Sequence, residues 1–139
     1  MSWARAVWAR MDWRGLTLLS SGAAWVGYGA QIATDPRYGT VRGISVLLNL
    51  MPVWAWGALW VACGIISAAY CLMPADRDRP GVAAAMAPPL LWSTAYTLGA
   101  SVGGESRAGG SIVAWASHAL IILVVAVVTR PRKVVVIHA

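Results

Sequence analysis

The stretch that decides the fold is residues 51–74, MPVWAWGALWVACGIISAAYCLMP. Between Pro52 and Pro74 stand 21 residues with no charge, no Asn and no Gln. At a helical rise of about 1.5 Å per residue the run is roughly 31 Å long, about the hydrocarbon thickness of a bilayer. It predicts a transmembrane helix over residues 51–73. The remaining segments are therefore read with lipid as their solvent.

Composition agrees. Of 139 residues, 59% are hydrophobic and 12% charged, against about 25% charged in soluble domains. A soluble chain this short cannot hide so much apolar surface, so lipid must cover part of it. One integral membrane domain over residues 1–139 is expected. The net charge of +6 comes from 11 basic and 5 acidic residues, placed in short groups between apolar runs. That placement fits orientation in a membrane and attraction to anionic headgroups. No basic helix face exists to track a phosphate backbone, which argues against a nucleic-acid partner. Ten of the basic residues are Arg, Trp occurs nine times and Phe is absent. GC-rich codons favour that usage, pointing to a high-GC bacterium or its phage.

Outward from the central run, the leader 1–15 is basic and Trp-rich. Trp3, Ala4, Val7, Trp8 and Met11 share one helical arc with Arg5 and Asp12 opposite, which predicts a short amphipathic interfacial helix. Residues 16–34 are uncharged and form the first expected span; no A-x-A site marks a cleavable signal at its end. Residues 35–43 read as turn and loop. Residues 44–51 either extend the central helix through a break at Pro52 or form a separate turn. A polar loop, PADRDRPG, covers residues 74–81 and reads as solvated, with local ion pairs. A third span follows over 82–103, interrupted by Pro88-Pro89, which remove helical hydrogen bonds and should kink it. A short loop precedes the fourth span, 111–129, and a basic tail covers 130–139.

The expected fold is thus all-α: four transmembrane helices in a compact bundle, preceded by the amphipathic leader. Counting Lys and Arg on the five flanks puts eight on the side of both termini and three on the other. Both termini are therefore expected in the cytoplasm, in a multi-pass protein of a bacterial or host-cell inner membrane. Arg5, Arg10, Arg14, Arg130, Arg132 and Lys133 are then the expected partners of anionic lipid headgroups.

Small residues mark the packing faces. Gly22 and Gly29 stand seven apart in the first span, Ala23 and Gly27 four apart. Gly57, Gly64 and Cys71 recur at seven in the second, with Ala68 four beyond Gly64. Such seams let helices approach closely where packing, not hydrophobicity, drives association. Cys63 and Cys71, about 12 Å apart along a helix axis, are too distant for a mutual disulfide and read as packing residues.

Chemistry is harder to find. The five acids all lie in the leader and loops, and no H-E-x-x-H, G-x-S-x-G or phosphate-binding glycine loop occurs. An enzyme is not expected, nor a metal or other cofactor. Ser93, Thr97 and Ser101 form a polar stripe at i, i+4 and i+8, and His118 is the one histidine inside a span. These four are the candidate polar or pore-facing residues; the alternative is ordinary hydrogen bonding between helices.

In size, span number and basic tail, the chain resembles the holins, phage proteins that open the inner membrane at lysis. PVWAWGALWVACGI, the PADRDRPG loop and the final RPRK are also similar to features of small four-span membrane proteins of high-GC bacteria and their phages. The resemblance to the holins is one of layout and implies a permeabilising homo-oligomer; the second implies no mechanism. The other expectation is an accessory or anchoring subunit that binds a partner membrane protein through its Gly/Ala helix faces. If the polar stripe is taken up inside one bundle, the pore reading weakens.

Overall fold

The computed structural model describes residues 11–103 and 109–130. Asp12 starts the first helix: its carboxylate accepts from the Gly15 amide at 2.7 Å, satisfying one of the donors a helix start leaves free. Helix α1 (Trp13–Thr34) follows and stops at Asp35-Pro36, because a residue before proline is pushed out of helical geometry. Two short helices come next, α2 (Tyr38–Gly43) and α3 (Ser45–Leu48). The long helices α4 (Val53–Ala69), α5 (Arg79–Gly103) and α6 (Gly109–Val128) complete an all-helical fold, with no strand among the described residues.

Several boundaries differ from expectation. Residues 38–43, expected as loop, form α2. Residues 44–51 do not extend the central helix: α3 ends before Asn49, and Pro52 enters α4 as its extended N-cap. The central helix stops at Ala69, four residues short of residue 73. Tyr70 leaves helical geometry and residues 70–73 close as turns, in accord with the bar that Pro74 sets on helix at Met73. Helix α1 begins at Trp13, so residues 13–15 of the expected leader belong to it. Trp3, Ala4, Val7 and Trp8 of the leader's amphipathic face, with Arg5 and Arg10, and the tail cations Arg132 and Lys133 lie outside the described residues.

Among the described residues one helix, α6, is both long and apolar enough to cross a membrane; α4 is apolar but only 17 residues long. Helix α5 runs unbroken through Pro88 and Pro89, both fully buried.

Helices α1 and α4 pack antiparallel along a line of small residues. A Cβ on Gly22 would stand 2.6 Å from the Gly64 carbonyl, and one on Gly29 2.6 Å from that of Gly57. Gly15 meets Cys71 one seven-residue step along. The three pairs keep one register, so the two seven-residue rows face each other throughout. Gly22 also touches Ala68. Ala23 and Gly27, expected on the same seam, are exposed instead, and nothing approaches Gly27. On a helix, positions one and five residues beyond Gly22 point away from the row that i and i+7 define. Ser67 strengthens the pair by donating its Oγ proton to the Leu18 carbonyl at 2.8 Å. Helices α5 and α6 form the second antiparallel pair.

Between the pairs lies an aromatic core. Trp60 is fully buried and meets the rings of Trp25, Tyr28, Trp92 and Trp115 at centroid distances of 4.5–5.2 Å. Its ring is the hub of the interior.

Candidate functional site

The two prolines of α5 each lack an N–H, so the carbonyls of Ala84 and Ala85 lose their helical donors. The indole Nε1–H of Trp25 donates to the Ala85 oxygen at 2.9 Å. Trp56 donates likewise to the Leu47 carbonyl at 3.1 Å, holding α3 to α4, and Trp92 to the Tyr28 hydroxyl at 3.2 Å. Buried indoles thus reach carbonyls and a hydroxyl on neighbouring helices. Trp60 is the exception: among the described residues its Nε1 has no hydrogen-bond partner.

The most highly organised polar group is one the sequence reading scattered. Arg14, expected to face lipid headgroups, is 4% exposed, and Asp78, expected in a solvated loop, is 1% exposed. The Arg14 guanidinium makes a two-pronged contact with the Asp78 carboxylate, Nε to Oδ2 and Nη2 to Oδ1, the second at 2.7 Å. Its Nη1 donates to the Ala126 carbonyl near the end of α6. That oxygen is among the last carbonyls of a helix, which have no partner within it, and a cation there also suits the helix dipole. The hydrogen bond to Asp78 holds the Arg14 guanidinium above its ordinary pKa, against the opposing effect of burial. One side chain therefore clasps the start of α1, the α4–α5 loop and the end of α6. Both described ends of the chain consequently meet at the same end of the bundle. Sequence offered no signal that singles the pair out: Arg14 is one of three Arg in the leader and Asp78 one of two Asp in its loop, 64 residues away with no local pattern to connect them.

The expected polar stripe does not assemble as one site. Ser93 is half-buried and donates to the Ile112 carbonyl of α6 at 3.4 Å. Thr97 and Ser101 are exposed, and each hydroxyl returns to its own helix, to the carbonyls of Ser93 and Thr97 at 2.8 and 2.9 Å. Such i−4 bonds satisfy a hydroxyl without any external partner. His118 is exposed on α6 and lies against the rings of Trp25 and Trp115, at 5.6 and 6.4 Å, away from the stripe.

Neither a nucleophile paired with a base nor a charge relay is built from these residues. No group of three or more His, Cys, Asp or Glu able to hold a metal occurs among the described residues. Cys63 and Cys71 are free and half-buried.

What the chain does offer is surface. Helix α6 is buried along Ala119, Ile122 and Ala126, while Val113, Leu120, Ile121, Val124 and Val128 are 49–75% exposed. Compared with known proteins, the chain matches no family, no curated protein and no solved structure.

Proposed function

We propose that this chain is a non-catalytic, four-span protein of a bacterial inner membrane, with both termini cytoplasmic, that anchors or assists a partner membrane protein. The observation that carries this reading is the α6 face. It belongs to the one described helix long and apolar enough to cross a membrane, and Val113, Leu120, Ile121, Val124 and Val128 recur at helical spacing along it. The Gly22–Gly64 and Gly29–Gly57 seam, a candidate docking face in sequence, is consumed within the chain between α1 and α4. A partner is left with α6 and with the exposed Ala23–Gly27 face of α1. The joining of the α1 start and the α6 end through Arg14 supports an even number of crossings, and the basic flanks support the cytoplasmic side for both.

A second reading, the holin-like homo-oligomer that permeabilises the membrane, is favoured by the exposure of Thr97 and Ser101 on α5. It ranks second because Ser93 and His118 are turned to other contacts. Induced expression with a membrane-impermeant dye separates the two. Accumulation without dye entry, together with crosslinking from a photoreactive residue at Leu120 to a different membrane protein, supports the anchoring reading. Rapid dye entry after induction, with crosslinks only between copies, overturns it in favour of the oligomer.

A further inference from the structure

A groove of about 380 Å³ opens between α5 and α6 beside the Arg14 clasp. Its α5 wall is Arg79, Val82, Ala83 and Met86, spaced i, i+3, i+4 and i+7. Its α6 wall is Leu123, Ala126, Val127 and Arg130, with the same spacing. Because the helices run antiparallel, Arg79 and Arg130 stand at the same end of the groove, and the apolar side chains continue from them for about 10 Å along both walls. The groove therefore has a cationic mouth and an apolar body.

The two cations are available. Among the described residues neither Arg79 nor Arg130 makes an ion pair or a side-chain hydrogen bond, and both are exposed. Arg14 also borders the groove, but its donors are committed to Asp78 and Ala126. The clasp sets the geometry: by tying the end of α6 to the loop before α5, it brings Arg130 and Arg79 to one mouth. Asp78, the carboxylate that precedes Arg79 in the chain, is paired with Arg14.

We propose that this groove binds one anionic phospholipid of the cytoplasmic leaflet, its phosphate between Arg79 and Arg130 and an acyl chain along Val82, Met86, Leu123 and Val127. Charge complementarity selects an anion, and the apolar body selects an amphiphile over a free phosphate. Basic clefts between membrane helices on the cytoplasmic side are suited to such headgroups. The proposal rests on the membrane-spanning reading above, and it replaces a diffuse attraction of basic flanks by a discrete site. Arg79, absent from the expected headgroup set, joins it, and Arg14 leaves it.

The test uses the full chain in nanodiscs of mixed phosphatidylglycerol and phosphatidylethanolamine, with retained lipid read by native mass spectrometry. The expected result is retained phosphatidylglycerol, lost roughly 25-fold in Arg79→Gln/Arg130→Gln, since each cation near an anionic surface is worth about a factor of five. The control Arg37→Gln/Arg77→Gln, equal in charge lost, should retain it. Met86→Trp, which fills the body without touching charge, should also lose it. Equal losses in both double variants mean diffuse headgroup attraction and overturn the proposal, as does retention by Met86→Trp. Displacement of the lipid by millimolar glycerol phosphate overturns the choice of a lipid over a soluble phosphate. Extraction of the wild-type protein from membranes by alkaline carbonate would sink the membrane reading and the lipid site together; retention in the membrane without lipid preference sinks the site alone.

Discussion

Trp25 and Ala85 are joined by an indole hydrogen bond of 2.9 Å, and the oxygen that accepts it is the one Pro89 deprives of a helical donor. The bond and the proline are two halves of one device. Trp25→Phe should lower stability in detergent by about 1 kcal/mol beyond the loss of ring volume, the scale of hydrogen bonds inside membrane proteins. Pro89→Ala supplies an N–H to the same oxygen. Trp25→Phe should then cost less in the Pro89→Ala background, and thermal melting of the four proteins of this double-mutant cycle measures the difference. Strict additivity would mean that the indole and the proline are energetically independent.

The Arg14–Asp78 pair makes the opposite prediction about single substitutions. Asp78→Asn leaves a buried guanidinium with half its partner, and Arg14→Gln leaves a buried carboxylate. Breaking a buried pair on one side costs about 3–5 kcal/mol, so each variant should melt far below wild type or fail to accumulate. Arg14→Lys keeps the charge but not the planar fork that grips both Asp78 oxygens and Ala126. It should recover less than half of the loss. Full recovery by Lys would reduce the clasp to simple charge pairing.

The contrast between these two sites marks what sequence conveys here. The helical class was legible, because uncharged runs of helical length have few other uses in a short chain. The seven-residue rows of small residues pointed to close helix contact, and Gly22, Gly29, Gly57 and Gly64 do meet. The fate of Ala23 and Gly27 was not legible, since spacing alone does not say which of two offset rows faces a neighbour. The clasp was invisible for a stronger reason. Arg14 and Asp78 are ordinary flank residues until α1, α4 and α5 are in place, and their meaning arises only from that packing. Trp60 shows the same limit: nothing in its apolar run sets it apart, and rings from three other helices turn that position into the centre.

Helix approach at the seam can be tested by size. A side chain on Gly22 or Gly29 must displace the backbone of α4, with its nearest contacts at 2.6 Å. Gly22→Leu and Gly29→Leu should each destabilise by more than about 2 kcal/mol, overpacking with no flexible neighbour to yield. Gly27→Leu meets nothing within 4 Å and should leave melting within about 0.5 kcal/mol of wild type. Comparable effects at Gly22 and Gly27 would refute the register.

Thr97 and Ser101 provide a check on function. Their hydroxyls are satisfied by their own helix, so lipid or a partner can cover them at little cost. Thr97→Leu/Ser101→Leu should leave accumulation, crosslinking from Leu120 and dye exclusion as in wild type. If wild-type expression admits dye and this pair abolishes it, the stripe lines water and the anchoring reading gives way.

Trp60 supplies the last prediction, through a hydrogen bond it does not make. Its ring is fully buried among four aromatic neighbours, and its Nε1–H finds no oxygen among the described residues. A buried donor without a partner carries an uncompensated desolvation cost of about 1–3 kcal/mol. Trp60→Phe removes that cost together with some ring volume, so the two effects oppose. Trp92→Phe removes similar volume and also the bond to Tyr28. Measured by melting under identical detergent conditions, Trp60→Phe should be the milder of the two by about 1 kcal/mol or more. The reverse order would mean that the Trp60 indole is held by an attraction to the surrounding ring faces strong enough to stand in for a hydrogen bond.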